Sequence, residues 1–234
     1  TENCGLVANT FTVVQSDMGT CPRTITRTYT IADSCDNTGQ CVQTIIVDDN
    51  TSPVINCPGA LSFECIGSVP AVPLTLADFT LAGGSVSDNC GIVASTFNVV
   101  QTDMGTCPRT ITRTFTIADS CGNTSQCVQT ITVDDTTPPM ISCPGNLSFE
   151  CIASVPPPYV ALNAFIAAGG TASDNCGLII SSFNVVETDM GTCPRTITRT
   201  YSIADSCGNT NQCIQTIVID DRTPPMISWP GNLS

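Results

Sequence analysis

The sequence contains no histidine and no lysine among its 234 residues. These absences remove the usual general base, the imidazole metal ligand and the Schiff-base nucleophile. Aromatic residues make up 5% and charged residues 12% of the chain, whereas 41% of residues are hydrophobic. The chain can therefore bury a core, but it lacks the side chains of ordinary catalysis, and we expect a protein that is not an enzyme.

Positive charge is also scarce, since all seven cationic side chains are arginines and the formal net charge is −13. An acidic chain offers no basic face to a phosphate backbone, so we expect no nucleic acid among its partners. Long apolar runs are missing, and the first ten residues, TENCGLVANT, do not have the charged-then-apolar build of a signal peptide. We therefore expect no membrane span in this chain and an export signal outside it.

Cysteine, by contrast, is abundant. Sixteen cysteines occur without a histidine and without a CxxC pair, a pattern that favours disulfides over zinc. Disulfides persist in oxidising compartments. The composition thus predicts a secreted protein of the extracellular space or the cell surface.

The cysteines reveal an internal repeat of 86 residues, because 90 − 4 and 176 − 90 both equal 86. A period of this length fits one small domain per repeat. We place the boundaries at Pro-rich stretches such as VDDTTPPMISCPG, which form stiff linkers. The predicted domains are the C-terminal part of a repeat at 1–56, complete repeats at 57–142 and 143–228, and the start of a further repeat at 229–234.

The ends of the sequence thus fall inside predicted domains, and Trp229 stands where the repeat predicts a cysteine. Two interpretations remain open. The chain is a window cut from a longer repeat protein, or a neighbouring subunit completes the first domain by adding a strand. In the second case the C-terminal TPPMISWPGNLS would supply part of that strand.

Within a repeat the hydrophobic pattern has mostly a period of two. Segments such as RTITRTFTIAD and QCVQTITVDD are separated by Gly, Asn and Asp turns, which is typical of antiparallel strands. The exceptions, at 74–84 and 160–170, have apolar spacing near 3.6 and end in a glycine pair, as a short helix does. We predict an all-β fold of tandem β-sandwiches, each with one short helix.

The run TRTFTIADSCGNTSQCVQTITVDDTTPPMISCPG resembles the HYR-like, immunoglobulin-like repeats of very long surface and secreted proteins, notably bacterial adhesins of the Bacteroidota type. The resemblance extends over the whole repeat, including SDNCG and the DxTPPxIxCP junction. It implies extracellular immunoglobulin-like sandwiches with about three disulfides each and no catalytic residues.

An immunoglobulin-like topology also implies a cysteine pairing, although six cysteines in each repeat allow fifteen connectivities. Cysteines near the same pole of one domain would pair with each other. The pairs expected on this basis are Cys57–Cys127, Cys65–Cys107, Cys90–Cys121, Cys143–Cys213, Cys151–Cys193, Cys176–Cys207 and, in the incomplete first domain, Cys4–Cys35. Cys21 and Cys41 would then have lost their partners.

Aspartates end the last strand of each repeat, immediately before the linker, and these are Asp48, Asp49, Asp134, Asp135, Asp220 and Asp221. The motifs SDNCG and ADSCGN place further aspartates, Asp88, Asp119 and Asp205, in turns near the domain poles. Oxygen-rich clusters between tandem domains can hold Ca²⁺. Turn and strand-end chemistry is the commoner use of Asp, and no DxDxDG loop is present, so both interpretations stay open.

Candidate glycosylation sites are the sequons at Asn123, Asn146 and Asn232. The Asp135-Thr136-Thr137 sequence resembles an O-glycosylation pattern of Bacteroidota, with Thr136 as the acceptor. A glycan would fit a Thr-rich surface protein.

Six of the seven arginines lie in GTCPRTITRTFTIADSCGN and its two copies. Residues of one parity share a face of a strand, which places Arg113 between Ile111 and Phe115. An arginine there must lie over the core edge and meet a carboxylate or backbone carbonyls. The predicted structural brace consists of Arg113 and Arg199 with Glu64 and Glu150 as partners.

These features favour a structural extracellular repeat protein that forms a disulfide-stabilised stalk or filament, either a cell-surface adhesin or a fibre. Its partners would be neighbouring repeats or copies of itself. A second interpretation is a binding module whose repeated immunoglobulin-like domains each recognise a surface glycan or another surface polymer.

Overall fold

The computed structural model describes residues 5–228 and Gly231, and the regular structure in this part of the chain is almost entirely β-strand. The strands are β1 Thr12–Met18, β2 Arg23–Ala32, β3 Thr38–Val47, β4 Val54–Asn56, β5 Leu61–Phe63, β6 Ser85–Ser87, β7 Asn98–Met104, β8 Arg109–Ala118, β9 Thr124–Val133, β10 Met140–Ser142, β11 Leu147–Phe149, β12 Thr171–Ser173, β13 Leu178–Gly191, β14 Arg195–Asp205 and β15 Thr210–Ile219. The helices are α1 Leu76–Leu81 and α2 Leu162–Ala167, with 3₁₀ turns at Ala8–Thr10, Ile66–Ser68, Ala94–Thr96 and Ile152–Ser154.

The predicted all-β class is confirmed, and both helices lie inside the stretches that the glycine pairs indicated. Among the described residues, no helix is long and apolar enough to cross a membrane.

The chain forms two compact units, and neither coincides with one sequence repeat. Among the described residues, unit 1 comprises 5–60, 71–102 and 111–130, and unit 2 comprises 61–70, 103–110 and 131–228 together with Gly231. Strands β7, β8 and β9 contribute residues to both units. The domain boundaries inferred above describe the sequence repeat and remain a prediction.

Unit 1 contains the antiparallel sheet β1-β2-β3 and the two-stranded pair β4-β6. Helix α1 begins after Thr75, whose side chain accepts a hydrogen bond from the Asp78 amide at 3.1 Å. It ends before Gly83, which has the left-handed φ of 97° that glycine adopts without strain. Phe79 of this helix packs on Phe115 of β8, with ring centroids 4.9 Å apart.

Unit 2 contains a four-stranded sheet of order β11-β15-β14-β13, in which β11 runs parallel to β15 and the other pairs are antiparallel. A second pair, β10-β12, accompanies it. β5 pairs in parallel with residues 131–133 of β9 in the same unit. The main core cluster consists of Leu162, Phe165, Phe183, Tyr201 and Ile203.

Burial alternates along β8 and β14, so the face predicted to carry arginine together with Ile and aromatic residues is confirmed as the buried face. Arg199 is only 2% exposed, and its Nε donates to Glu187 Oε2 at 2.7 Å while Nη2 donates to the Pro156 carbonyl. Arg113 Nε donates to Gln101 Oε1 at 2.9 Å.

The predicted partner of Arg199, Glu150, needs correction. Glu150 accepts a hydrogen bond from the Thr223 hydroxyl instead, and Glu64 accepts one from the Thr137 hydroxyl. The reason is strand order, because β11 pairs with β15, whereas β13 lies next to β14 and places Glu187 directly opposite Arg199.

Candidate functional site at the repeat junctions

Disulfides join residues of successive sequence repeats. Cys21 is bonded to Cys121 in unit 1, and unit 2 holds the bonds Cys107–Cys207 and Cys65–Cys176. Their sequence separations of 100, 100 and 111 residues exceed the repeat of 86, so each bond connects one repeat to the next. We call the region around Cys21–Cys121 the first junction and the region around Cys107–Cys207 the second junction.

The bonds within single repeats are Cys57–Cys127 and Cys143–Cys213, which are two of the seven pairs that an immunoglobulin-like topology implies. Four other expected pairs are wrong, namely Cys65–Cys107, Cys90–Cys121, Cys151–Cys193 and Cys176–Cys207. One or both cysteines of each pair are bonded to a different cysteine or are free. The expected Cys4–Cys35 pair involves Cys4, which lies outside the described residues.

The expectation assumed that cysteines at one pole of a domain pair with each other. Cys107 precedes β8 and Cys121 follows it, so the two cysteines lie at opposite ends of a ten-residue strand that is about 33 Å long. At each junction the turn before the arginine strand of one repeat lies beside the turn after that strand in the next repeat. The sequence signal for this arrangement was Cys21, which the expected pairing left without a partner.

Five of the described cysteines are free and exposed: Cys35, Cys41, Cys90, Cys151 and Cys193. Each occupies a repeat position that is bonded elsewhere in the chain. At the observed separations, partners for Cys35, Cys41 and Cys90 would precede residue 1, and partners for Cys151 and Cys193 would follow residue 234.

Three aspartates converge at each junction. The first aspartate cluster consists of Asp49, Asp88 and Asp119, which follow β3, β6 and β8. The second aspartate cluster consists of the equivalent residues Asp135, Asp174 and Asp205. In each cluster, one carboxylate oxygen of every member lies within 4.8 Å of the other two.

Backbone amides orient two members of each cluster. Asp49 Oδ1 accepts from the Thr51 amide at 3.0 Å, and Asp88 Oδ1 accepts from the Cys90 and Gly91 amides at 2.8 and 2.9 Å. The second oxygen, Oδ2, of both aspartates is buried and has no hydrogen-bond partner. The same bonding and the same unpartnered Oδ2 atoms recur at Asp135 and Asp174.

The third member is fixed through an asparagine. Asp119 Oδ1 accepts from the Cys121 and Asn123 amides, and Asp119 Oδ2 accepts from Asn123 Nδ2 at 2.8 Å. Asn123 Nδ2 also donates to the Asp49 carbonyl at 2.8 Å, which links the end of one repeat to the next. Asn209 makes the equivalent bond to the Asp135 carbonyl at 2.7 Å.

Two members of the first aspartate cluster, Asp49 and Asp119, have pKa values below the ordinary value of an aspartate. Hydrogen bonds from the Thr51 amide and the Asn89 side chain hold the pKa of Asp49 below its ordinary value. Burial pushes the pKa of Asp119 up, but the hydrogen bonds from Asn123 and Cys121 outweigh burial and lower it. The pKa of the neighbouring Cys90 thiol is raised by its hydrogen bond to Asp49, by burial and by the carboxylate charges around it.

The structure brings only two of the six predicted calcium-binding residues, Asp49 and Asp135, into the clusters. The carboxylates of Asp48, Asp134 and Asp220 instead lie 3.6, 3.5 and 3.9 Å from the sulfur atoms of Cys21, Cys107 and Cys193. Asp220 also pairs with Arg222, and Asp221 is exposed. Asp174 was not among the predicted residues, and Asp88, Asp119 and Asp205 were predicted only as turn residues, apart from the strand-end aspartates that they meet in the clusters.

The candidate glycosylation residues differ in their surroundings. Asn123 is held by the hydrogen bonds just described, and a glycan on its Nδ2 would replace one of the two amide hydrogens that Nδ2 donates to the Asp49 carbonyl and Asp119 Oδ2. Asn146 and Thr136 are exposed, and Asn146 Oδ1 accepts from the Thr216 amide at 2.9 Å. Asn232 lies outside the described residues.

The junction sequence and its cysteines belong to a recognisable type of repeat. The model of a family described as "HYR-like domain with 4 cysteines" matches residues 53–133 and 139–219. Each matched segment of this chain holds six cysteines.

One curated relative is hyalin from Strongylocentrotus purpuratus, which is 30% identical over 229 residues. The match covers 90% of this chain and 17% of hyalin, so the chain spans about one sixth of that relative. Among solved structures, a protocadherin gammaB7 EC3-6 cis-dimer structure has 12% identity and a TM-score of 0.30, covering 88% of this chain and 68% of that chain. The human desmocollin-1 ectodomain has 11% identity and a TM-score of 0.23, covering 96% and 52%.

Proposed function

Because this chain belongs to the family of HYR-like domains with four cysteines, we propose that it is a structural array of extracellular, adhesion-type repeats whose successive members are disulfide-linked into a stalk or filament. The observation that carries the proposal is the set of bonds between successive repeats, Cys21–Cys121, Cys65–Cys176 and Cys107–Cys207. A tandem protein held only by flexible linkers needs no such bonds. An array that transmits force or keeps its extension gains from them, because each bond restricts the motion of one repeat against the next.

The oxidising setting is supported by the five disulfides of the described chain, since such bonds persist outside the cytosol. A bacterial surface is one place where such an array would serve. The curated relative comes from Strongylocentrotus purpuratus, so the proposal does not depend on the kind of organism.

The partners in this proposal are further HYR-like repeats with the same cysteine pattern. The free cysteines Cys35, Cys151 and Cys193 are equivalent to residues that bridge successive repeats elsewhere in the chain. They are therefore half-sites for the same bonds. Each bond forms when two thiols are oxidised, lose their protons and pass two electrons to a disulfide oxidant, which is reduced to two thiols.

The exposed face of sheet β1-β2-β3 in unit 1 also supports an adjacent HYR-like repeat as the partner. Val47 is 50% exposed, whereas its equivalent Val133 is 6% exposed. In the segment that has no counterpart before β1, the complete repeats carry helix α1 or α2 and three short strands, which are β4, β5 and β6 or β10, β11 and β12. We assign the matching segment of an adjacent HYR-like repeat as the cover for this face, because it would bury the same positions there.

The test uses oxidation of the purified chain with glutathione disulfide, followed by non-reducing electrophoresis. If a second copy continues the repeat in register, each of its residues is shifted by three periods, or 3 × 86 = 258 positions. Its Cys35 then falls at position 293, which is 100 positions after Cys193 of the first copy. Its Cys4 falls 111 positions after Cys151. Because these separations match the bonded pairs, we expect a ladder of linked multimers and, in negative-stain images, filaments.

The cysteines also provide the controls. The double variant Cys151→Ala, Cys193→Ala should lose the ladder. Cys41→Ala should keep it, because the position that would pair with Cys41 of the next copy is occupied by Trp229. A chain that stays monomeric under oxidation, or a ladder that persists in the double variant, would contradict the proposal.

A further inference from the structure

We propose that each aspartate cluster is a calcium site, so that this chain binds two Ca²⁺ ions, one at each junction, through Asp49, Asp88 and Asp119 and through Asp135, Asp174 and Asp205. The proposal stands independently of whether the array forms a filament. It also differs from the ligand set that the sequence suggests, because the second and third ligands come from the turns after β6 and β8 and their equivalents.

Both aspartate clusters contain buried carboxylate oxygen atoms without hydrogen-bond partners. Asp49 is 7% exposed and Asp135 is 3% exposed, and Oδ2 of each lacks a hydrogen-bond partner. Oδ2 of Asp88 and Oδ2 of Asp174 are in the same condition. A buried carboxylate oxygen without a hydrogen-bond partner is energetically unfavourable unless a ligand binds it. Each cluster contains two such oxygens.

Each aspartate cluster also concentrates negative charge. Three carboxylates within 4.8 Å repel one another, and the donors that reach them in the described structure are neutral: backbone amides, asparagine side chains and, at Asp49, the Cys90 thiol. Arg109, which lines the cavity beside Asp135, pairs with Asp103 instead. A bound divalent cation would neutralise most of this charge and relieve the repulsion.

The two aspartate clusters have the same hydrogen-bond geometry. In both clusters Oδ1 of the first two aspartates is occupied by backbone amides, which leaves Oδ2 of each as the free oxygen. The third aspartate is fixed in both cases by the asparagine four residues later. The ligand atoms are thus oriented before any ion arrives, which lowers the conformational cost of binding.

The ligand chemistry selects the ion. The donors that the two clusters share are all carboxylate oxygens, and these suit a hard cation rather than zinc. The cysteines at the second junction are in disulfides and offer no thiolate. Calcium accepts six to eight oxygens in irregular geometry, whereas magnesium requires a near-ideal octahedron.

Space for the remaining ligands is present beside the second aspartate cluster. A cavity of about 300 Å³ is lined by Asp135, Glu64 and the cystines Cys65–Cys176 and Cys107–Cys207. It provides an entry path and room for water molecules to complete the coordination shell. With three protein carboxylates per site, we expect a dissociation constant on the order of 10⁻⁴ to 10⁻³ M, as in extracellular modules.

The experiment is isothermal titration of the EDTA-treated full chain with CaCl₂, together with its melting temperature at each calcium concentration. The wild-type chain should bind two ions, and its melting temperature should rise with CaCl₂. Asp49→Asn and Asp135→Asn should each leave one site, and the double variant should leave none. Asp134→Asn, the matched control, removes one charge next to the second cluster but outside it and should keep both sites.

Loss of folding can be distinguished from loss of the site. Without calcium, Asp49→Asn and Asp135→Asn should keep the circular dichroism spectrum of the wild type, because the asparagine oxygen can still accept the hydrogen bond of the Thr51 or Thr137 amide. Two outcomes would overturn the proposal. The first is a wild-type chain that takes up no calcium at 10 mM CaCl₂, a concentration about tenfold above the expected dissociation constant. The second is a double variant that binds calcium with unchanged stoichiometry.

Discussion

Arg199 is the clearest example of how a single residue acts in this fold. It lies at the centre of β14, almost fully buried, with its Nε on Glu187 and its Nη2 on the Pro156 carbonyl. Its Nη1 has no partner, so the site is not perfectly satisfied. The net benefit of such an arginine is modest, because its hydrogen bonds must offset the cost of taking the charge out of water.

Removing the guanidinium should nevertheless destabilise the chain. In Arg199→Met the Pro156 carbonyl loses its donor and Glu187 loses its cation, so we expect a loss of about 1–3 kcal/mol in the free energy of unfolding. Urea unfolding followed by circular dichroism measures this loss. Arg195→Met, in the same strand, removes a more exposed ion pair to Asp189 and should cost less. Equal losses in both variants would contradict a bracing role for Arg199.

At the scale of elements, the two helices depend on the glycine pairs that follow them. Gly83 and Gly169 adopt left-handed backbone angles that end the helix. The second glycine of each pair, Gly84 or Gly170, lies against the ring of Phe79 or Phe165. Each pair thus turns the chain and admits the fully buried ring that fills the core beneath the helix.

A methyl group at the second glycine should therefore disrupt the core. In Gly84→Ala the new Cβ would overlap the Phe79 ring, so the ring must move, and we expect a loss of about 1–3 kcal/mol in the free energy of unfolding. Differential scanning calorimetry should show a lower melting temperature. Gly59→Ala is the control, because nothing lies within 4 Å of its added Cβ. An unchanged melting temperature in Gly84→Ala would mean that the helix does not pack as described.

At the scale of the whole molecule, sequence repeat and compact unit are different divisions of the same chain. Residues of successive repeats combine in each unit, and every disulfide lies inside one unit. An excised repeat would carry half of each junction with its cysteines unpaired. We therefore expect that a fragment must contain a whole junction, with parts of two successive repeats, to keep the disulfides between them.

Trypsin provides a direct test of this linkage, because it cleaves here only after the seven arginines. In the unreduced digest, peptide 1–23 should be joined to peptide 114–195 through Cys21 and Cys121. The other four disulfides join peptides 28–109, 114–195 and 200–222 to one another, so all four peptides should form one disulfide-linked species. Mass spectrometry before and after reduction identifies this species and its four peptides. A free peptide 1–23 would mean that the first junction is not cross-linked.

The amino-acid sequence by itself determined the strands, the two helices and the buried face of the arginine strands. These follow from local periodicity and from glycine and proline, which act over a few residues. Only the tertiary structure decided which cysteines bond and which aspartates converge. Because Cys21 and Cys107 occupy equivalent positions in nearly identical copies, the sequence cannot distinguish a partner in the same repeat from one in the next. The packing of successive repeats within each unit makes that choice.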